Sequence, residues 1–402
     1  MCKLTYEDLI LLDNLIYLEW DAKEDEELIN IVYDILNNEK LDELMDNMGN
    51  CTMKLPKSEW VNILDQIKSK PNLRELRIKN VYNYNSGMRV ASFVDGENNA
   101  TVVFRGTTTT KEWDDNGKGA YEYDTLEQID ALNYINSLSF NDITVTGHSK
   151  GGNKAQYVTI LSSKIIKCIS VNGQGFSNEF INKYKEKIYE NKSKIICINS
   201  KYDYVNCLFN SIEGECHYIE TDFQINPLDY HKANILLDRN GNLRQKTNEA
   251  TFSKIINYFS TSLISDLPED IQNLIVNGMI GVIELILCKG ENKDNILKVA
   301  GEFLIMLCYE NCYKYKEIFN KSYAVLEALI LPLLFWGDFV TIEETKSKDL
   351  LDKVVGRINI LGDGIIKKIE VIDKDAINLI NNVSKAITDL TYKLENEIMQ
   401  EY

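Results

Sequence analysis

At 402 residues the chain is too long for one ordinary core, and it should fold as two domains or as one large domain with additions. Apolar residues make up 44% of it, prolines number only five, and no Ser/Gly/Pro-rich linker interrupts it, which excludes extended disorder. The formal charge of −17, with 14 acidic side chains against 3 lysines in the first fifty residues, excludes a nucleic-acid backbone as the main partner and gives no general attraction to an anionic membrane.

The opening MCKLTYEDLILLDNLIYLEW has neither the basic start nor the small-residue cleavage site of a secretory signal. The nine cysteines lie in apolar contexts such as KIIKCIS, where buried free thiols in a reducing cytoplasm explain them more simply than disulfides. Cys308 and Cys312 have no nearby histidine to complete a zinc set. We therefore expect a cytoplasmic protein, with membrane association as the alternative.

Apolar side chains at helical spacing predict helices over 5–18, 24–38 and 57–68, whose simplest role is to cover a sheet edge or face. After Pro71, LRELRIKNVYNY, MRVASFV and NATVVFRG read as strands. A helix over 124–138, a strand over 143–147 and a helix over 151–163 follow. Then come the strands IIKCISV and KIICINS, with a helix near 177–190 between them, and the strand ECHYIET. Such alternation predicts a mostly parallel α/β sheet covered on both faces.

From about residue 250 long helical patterns replace the strands, and a boundary falls near 245–252. The expected organisation is an N-terminal helical part over 1–70 that belongs with an α/β core over 71–248, followed by a helical region of unknown role over 249–402. Within the last, 271–287 and 324–336 are unusually apolar, but polar residues and Pro332 interrupt both. Neither is a clean transmembrane span. Buried hairpin helices are the main expectation there, and contact with a membrane surface is the alternative.

The segment ITVTGHSKGGNKAQYV holds Gly147-His148-Ser149-Lys150-Gly151, a G-x-S-x-G pattern with a strand before it and a helix after it. A serine there occupies a sharp turn whose glycines let neighbouring backbone approach, and the helix N-terminus faces developing negative charge. Ser149 is thus the candidate nucleophile. A base must come from three histidines. His148 adjoins the serine, where neighbouring side chains at an elbow diverge. His217 sits mid-strand. His231 lies in a loop after the last strand, in the chain order Ser…Asp…His, and is the better base. Asp203, just after the strand 194–199, is the candidate acid; Asp222 and Asp229 also precede His231 but lack that strand-end position. Gly106, after the strand ending in FRG, would turn the Thr107 N–H towards the serine. Thr107 and Lys150 are accordingly the expected oxyanion donors.

FRGT, Trp113, GHSKGGNKA, a post-strand aspartate and the late HKANILLDRNGNL together resemble the lipase class 3-like α/β-hydrolases, and more closely the bacterial Mbeg1-like (DUF2974) family. The resemblance extends to the opening LTYEDLILLDNLIYLEW and covers roughly residues 3–245. It implies an α/β-hydrolase fold, with Ser149, Asp203 and His231 as triad and Thr107 as oxyanion residue. It also implies ester substrates, lipid or phospholipid esters among them, and no metal or organic cofactor. Asn153 and Lys154 depart from the small or apolar residues common in lipases, and are expected to face solvent. The residues after Thr107, through Tyr121, are expected to form a flap over the site. A catalytically silent interaction protein and a membrane-disrupting phospholipase effector are the rival readings; protein partners are unknown.

Overall fold

The computed structural model describes residues 4–250, apart from 38–39, 49–52, 109, 120–121 and 225–226, together with five positions between 253 and 261. Of the helical region expected over 249–402, everything from residue 262 onward, with both apolar segments, lies outside them. The description below concerns one of two compact units, residues 1–224 with 229–249.

The described strands form one sheet whose spatial order is the chain order: β1 (Glu26–Glu27), β2 (Arg77–Asn83), β3 (Arg89–Val94), β4 (Ala100–Phe104), β5 (Ile143–His148), β6 (Ile165–Val171), β7 (Ile195–Ser200), β8 (Glu215–Ile219) and β9 (Lys246–Thr247). Pairing is antiparallel from β1 to β4 and between β8 and β9, and parallel from β4 to β8. The sheet is therefore mixed, with the expected parallel centre. All the residues of β3, β4 and β5 are buried, which is why these strands, apart from Arg89 and His148 at their ends, read as apolar or small runs rather than as alternating ones.

Sequential parallel strands constrain where the helices lie. Each crossover must be right-handed, so successive crossover helices fall on the same face of a sheet wound in one direction. Accordingly α7 (Leu126–Ser137), α8 (Lys150–Leu161) and α9 (Asn178–Asn191) share one core with Val102, Phe104, Val145, Cys168 and Cys197. The opposite face would be bare. It is covered by α1 (Tyr6–Leu15), α2 (Leu28–Asn37), α3 (Lys40–Asn47) and α4 (Lys57–Ser69), packed with Phe93, Val103, Ile169, Val171 and Ile198 in a second core. The short α5 (Pro71–Arg74) leads into β2.

α1 starts on a capping box in which Asp8 N–H donates to Thr5 Oγ1 at 3.3 Å and Thr5 N–H donates to Asp8 Oδ2 at 3.0 Å. It is tied to the sheet by Thr146, whose hydroxyl donates to the buried Asp13 at 2.8 Å. The helix expected over 24–38 begins at Leu28, because Glu26 and Glu27 instead pair with Ile78 and Arg77 as an edge strand. The loop expected after Thr107 contains a helix, α6 (Thr110–Lys118).

The expected membrane-surface contact through C-terminal helices is withdrawn. Among the described residues no helix is long and apolar enough to cross a membrane, and the two apolar segments that suggested contact lie outside them.

Candidate active site

β5 delivers the serine. It runs to His148, and α8 starts at Lys150, so the chain must reverse at Ser149, which takes φ 60° and ψ −127°. A non-glycine residue there is strained and must be held by its surroundings. Ser149 N–H donates to Val171 O at 2.9 Å, anchoring the turn to β6, and the side chain makes no capping bond to α8. The flanking glycines are needed for space: a Cβ at Gly151 would lie 2.1 Å from Phe104 O, and one at Gly147 would lie 2.3 Å from the Gly151 carbonyl carbon. β4, β5 and the first turn of α8 can therefore meet.

The loop after β4 approaches the same point. A Cβ on Gly106 would sit 3.0 Å from Ser149 Cβ and 2.1 Å from the Tyr17 hydroxyl oxygen, so only glycine fits between them. The next residue, Thr107, is fully buried, and its Oγ1 accepts from Asn116 Nδ2 at 2.7 Å. Lys150 is the first residue of α8, where backbone N–H groups lack acceptors within the helix.

The candidate acid and the candidate base come together. Asp203 follows β7, and both its carboxylate oxygens lie 3.0 Å from His231 Nδ1. Val205 N–H and Asn206 N–H donate to the same carboxylate at 3.0 and 3.2 Å, fixing its plane. A carboxylate can only accept, so the His231 proton sits on Nδ1 and, in the neutral ring, Nε2 carries the lone pair. Nε2 is buried and has no hydrogen-bond partner among the described residues, Ser149 included. Apo sites commonly show such open contacts, which tighten when substrate binds.

His148 does not diverge from the site as the elbow argument expected. Its ring lies 4.6 Å from that of His231, its Nε2 is 2.5 Å from the His231 carbonyl oxygen, and its Nδ1 is 2.7 Å from the Tyr17 hydroxyl. Burial, and then the neighbouring His231, holds its imidazole well below the usual histidine range; the bond to the His231 carbonyl offsets this only in part. The other candidates are not brought here. His217 pairs with Glu215 at 2.8 Å on β8, Asp222 with Arg244 at 2.7 Å and Asp229 with Lys232 at 2.8 Å.

Asn153 and Lys154 are buried, not solvent-facing. Lys154 pairs with the buried Glu127 of α7 at 2.5 Å, and Asn153 donates to the carbonyls of Gln174 and Gly175 while accepting from Gln128 at 2.7 Å. The Lys150 ammonium reaches Asp115 of α6 at 3.0 Å. Burial alone would raise the Asp115 carboxyl, but Lys150 and the donors Thr125 Oγ1 and Glu127 N–H bring it below its ordinary value. α6 is thus fastened to the elbow through Asp115, to Thr107 through Asn116, and to the Thr108 N–H and hydroxyl through Glu112 at 2.8 and 3.0 Å. Among the described residues no His/Cys/Asp/Glu cluster could hold a metal ion.

Tyr17, Asn116 and Asn172 were not singled out in the sequence. For Tyr17 the only signal was its place in the opening segment that resembles the family; the two asparagines carried none.

The crystal structure of M37 lipase is a distant likeness. At 14% identity, 50% of this chain aligns with 70% of that one, with a TM-score of 0.29. No curated protein matches the chain. The profile of the Mbeg1-like family matches residues 70–279, a span that starts later and runs further than the resemblance read from the sequence. By that match, over a mixed sheet of the α/β-hydrolase type, the chain belongs to the Mbeg1-like family.

Proposed function

We propose that the protein is a serine hydrolase of carboxylic esters, lipid esters among them, acting through an acyl-enzyme on Ser149. The observation that carries this reading is the buried Asp203–His231 pair, packed against His148, the neighbour of a serine held at a strained strand-to-helix turn. In this reading Ser149 Oγ attacks the ester carbonyl carbon as His231 Nε2 takes its proton. The Thr107 and Lys150 N–H groups stabilise the tetrahedral oxyanion, a contribution of about 3 kcal/mol per donor. The C–O bond then breaks, and His231 returns the proton to the leaving alcohol. Water repeats the sequence, releasing the acid and restoring the serine. No step calls for a metal or organic cofactor.

One observation favours the rival reading of a catalytically silent hydrolase fold: Ser149 is only 5% exposed and His231 Nε2 makes no bond to it. A fluorophosphonate probe, read by intact mass and peptide mapping, separates the two. We expect stoichiometric labelling at Ser149, none in Ser149→Ala, and labelling slowed by at least about 10²-fold in His231→Ala. A folded wild-type chain that stays unlabelled, with and without detergent, would overturn the hydrolase reading.

A further inference from the structure

The backbone of the candidate base is held as firmly as its side chain. His231 O accepts two hydrogen bonds, from His148 Nε2 at 2.5 Å and from Asn172 Nδ2 at 3.0 Å. A carbonyl oxygen only accepts, so the His148 proton must sit on Nε2. Its Nδ1 is then the acceptor, and the Tyr17 hydroxyl donates to it at 2.7 Å. Asn172 is fixed in turn by Ser200 N–H, which donates to its Oδ1 at 2.7 Å. These residues stand at the ends of β5, β6 and β7, the strands that lead to Ser149 and Asp203 and the one between them.

Resting on the hydrolase reading, we propose that His148 is a positioning residue. Its Nε2–H holds the His231 main chain in register with Ser149, and Tyr17, from the segment after α1, fixes the tautomer that makes this bond. The two neighbouring histidines have different tasks. His231 exchanges protons through Nε2, whereas His148 has both ring nitrogens engaged within the protein and exchanges none.

The test is a double-mutant cycle on the rate of fluorophosphonate labelling. His148→Phe keeps a ring and removes the donor; it should slow labelling on the order of 10²-fold, the cost of misplacing a catalytic group by about an ångström. In the His231→Ala background, where residual labelling no longer uses the base, it should slow labelling no further. His148→Gln, whose amide N–H can reach the same carbonyl, should recover most of the loss. If His148→Phe does not fold, Tyr17→Phe replaces it in the same cycle, with an expected slowing of about tenfold. Equal slowing in both backgrounds would mean that these residues act on the elbow or the oxyanion donors, and would overturn the proposal. So would unchanged labelling. A wild-type chain that does not label brings down the hydrolase reading itself, which is a distinct result.

Discussion

A histidine kept neutral inside a protein leaves a thermodynamic trace. In the unfolded chain the His148 imidazole titrates near its ordinary value of about 6.5, whereas in the folded state burial holds it far lower. Above that pH both states are neutral and the group does not affect stability. Below it the unfolded chain takes up a proton that the folded one refuses, so stability falls as the pH falls, approaching about 1.4 kcal/mol per pH unit. We expect urea unfolding between pH 7.5 and 5 to show this loss, and His148→Gln to show a shallower one. An identical slope in the variant would mean that His148 is protonated in the fold. The strand-to-helix bend at Ser149 and the pairing of Asp203 with His231 could be read from residue type and chain order, because a serine between glycines, a strand-end aspartate and a late histidine are local signals. The setting of His148 could not, because it depends on Tyr17, a residue far away in the chain.

At the scale of elements, α8 explains why polarity misled the reading of one segment. Asn153 and Lys154 looked like a solvent face, because a charge usually means water. Here the buried lysines of α8 have buried counterparts on other elements, Lys154 with Glu127 and Lys150 with Asp115, while Arg105 meets both the buried Glu112 and the exposed Glu19. Such pairs contribute little net stability, but they are costly to break from one side, because the remaining charge is left uncompensated. Lys150→Met should therefore cost about 3–5 kcal/mol. The double variant Lys150→Met/Asp115→Asn should recover most of that in the same denaturant titration. Since Asp115 is held below its ordinary carboxylate value, its contribution is complete above about pH 4 and fades as acid protonates the folded carboxyl. A single-variant cost well under 1 kcal/mol would mean that the pair is open to solvent.

The whole described unit is a sheet wound in one direction, and that winding assigns the N-terminal helices their task. The family profile begins at residue 70, after α4, yet the face bearing Val103, Ile169, Val171 and Ile198 is covered by residues that precede it. We propose that the first 70 residues belong to the hydrolase domain and not to a separate module. A chain lacking residues 1–69 should bind the dye ANS strongly and lose its cooperative melting transition; a cooperative melt with no dye binding would show that the sheet can do without the cover. The sequence suggested the cover through amphipathic spacing alone. It did not specify which face, since that follows from strand order, and strand order depends on pairings between segments that carry no local signature.

The match between sheet order and chain order also bears on how the molecule comes into being. During synthesis each new strand meets an edge already translated, because its sheet partner is the strand before it in the chain. The covering helices emerge first, so apolar surface has a partner almost as soon as it exists. Strands β5 to β8 and the turn at Ser149 are translated before His231, so on the proposed reading the last member of the triad joins a sheet whose parallel centre already exists.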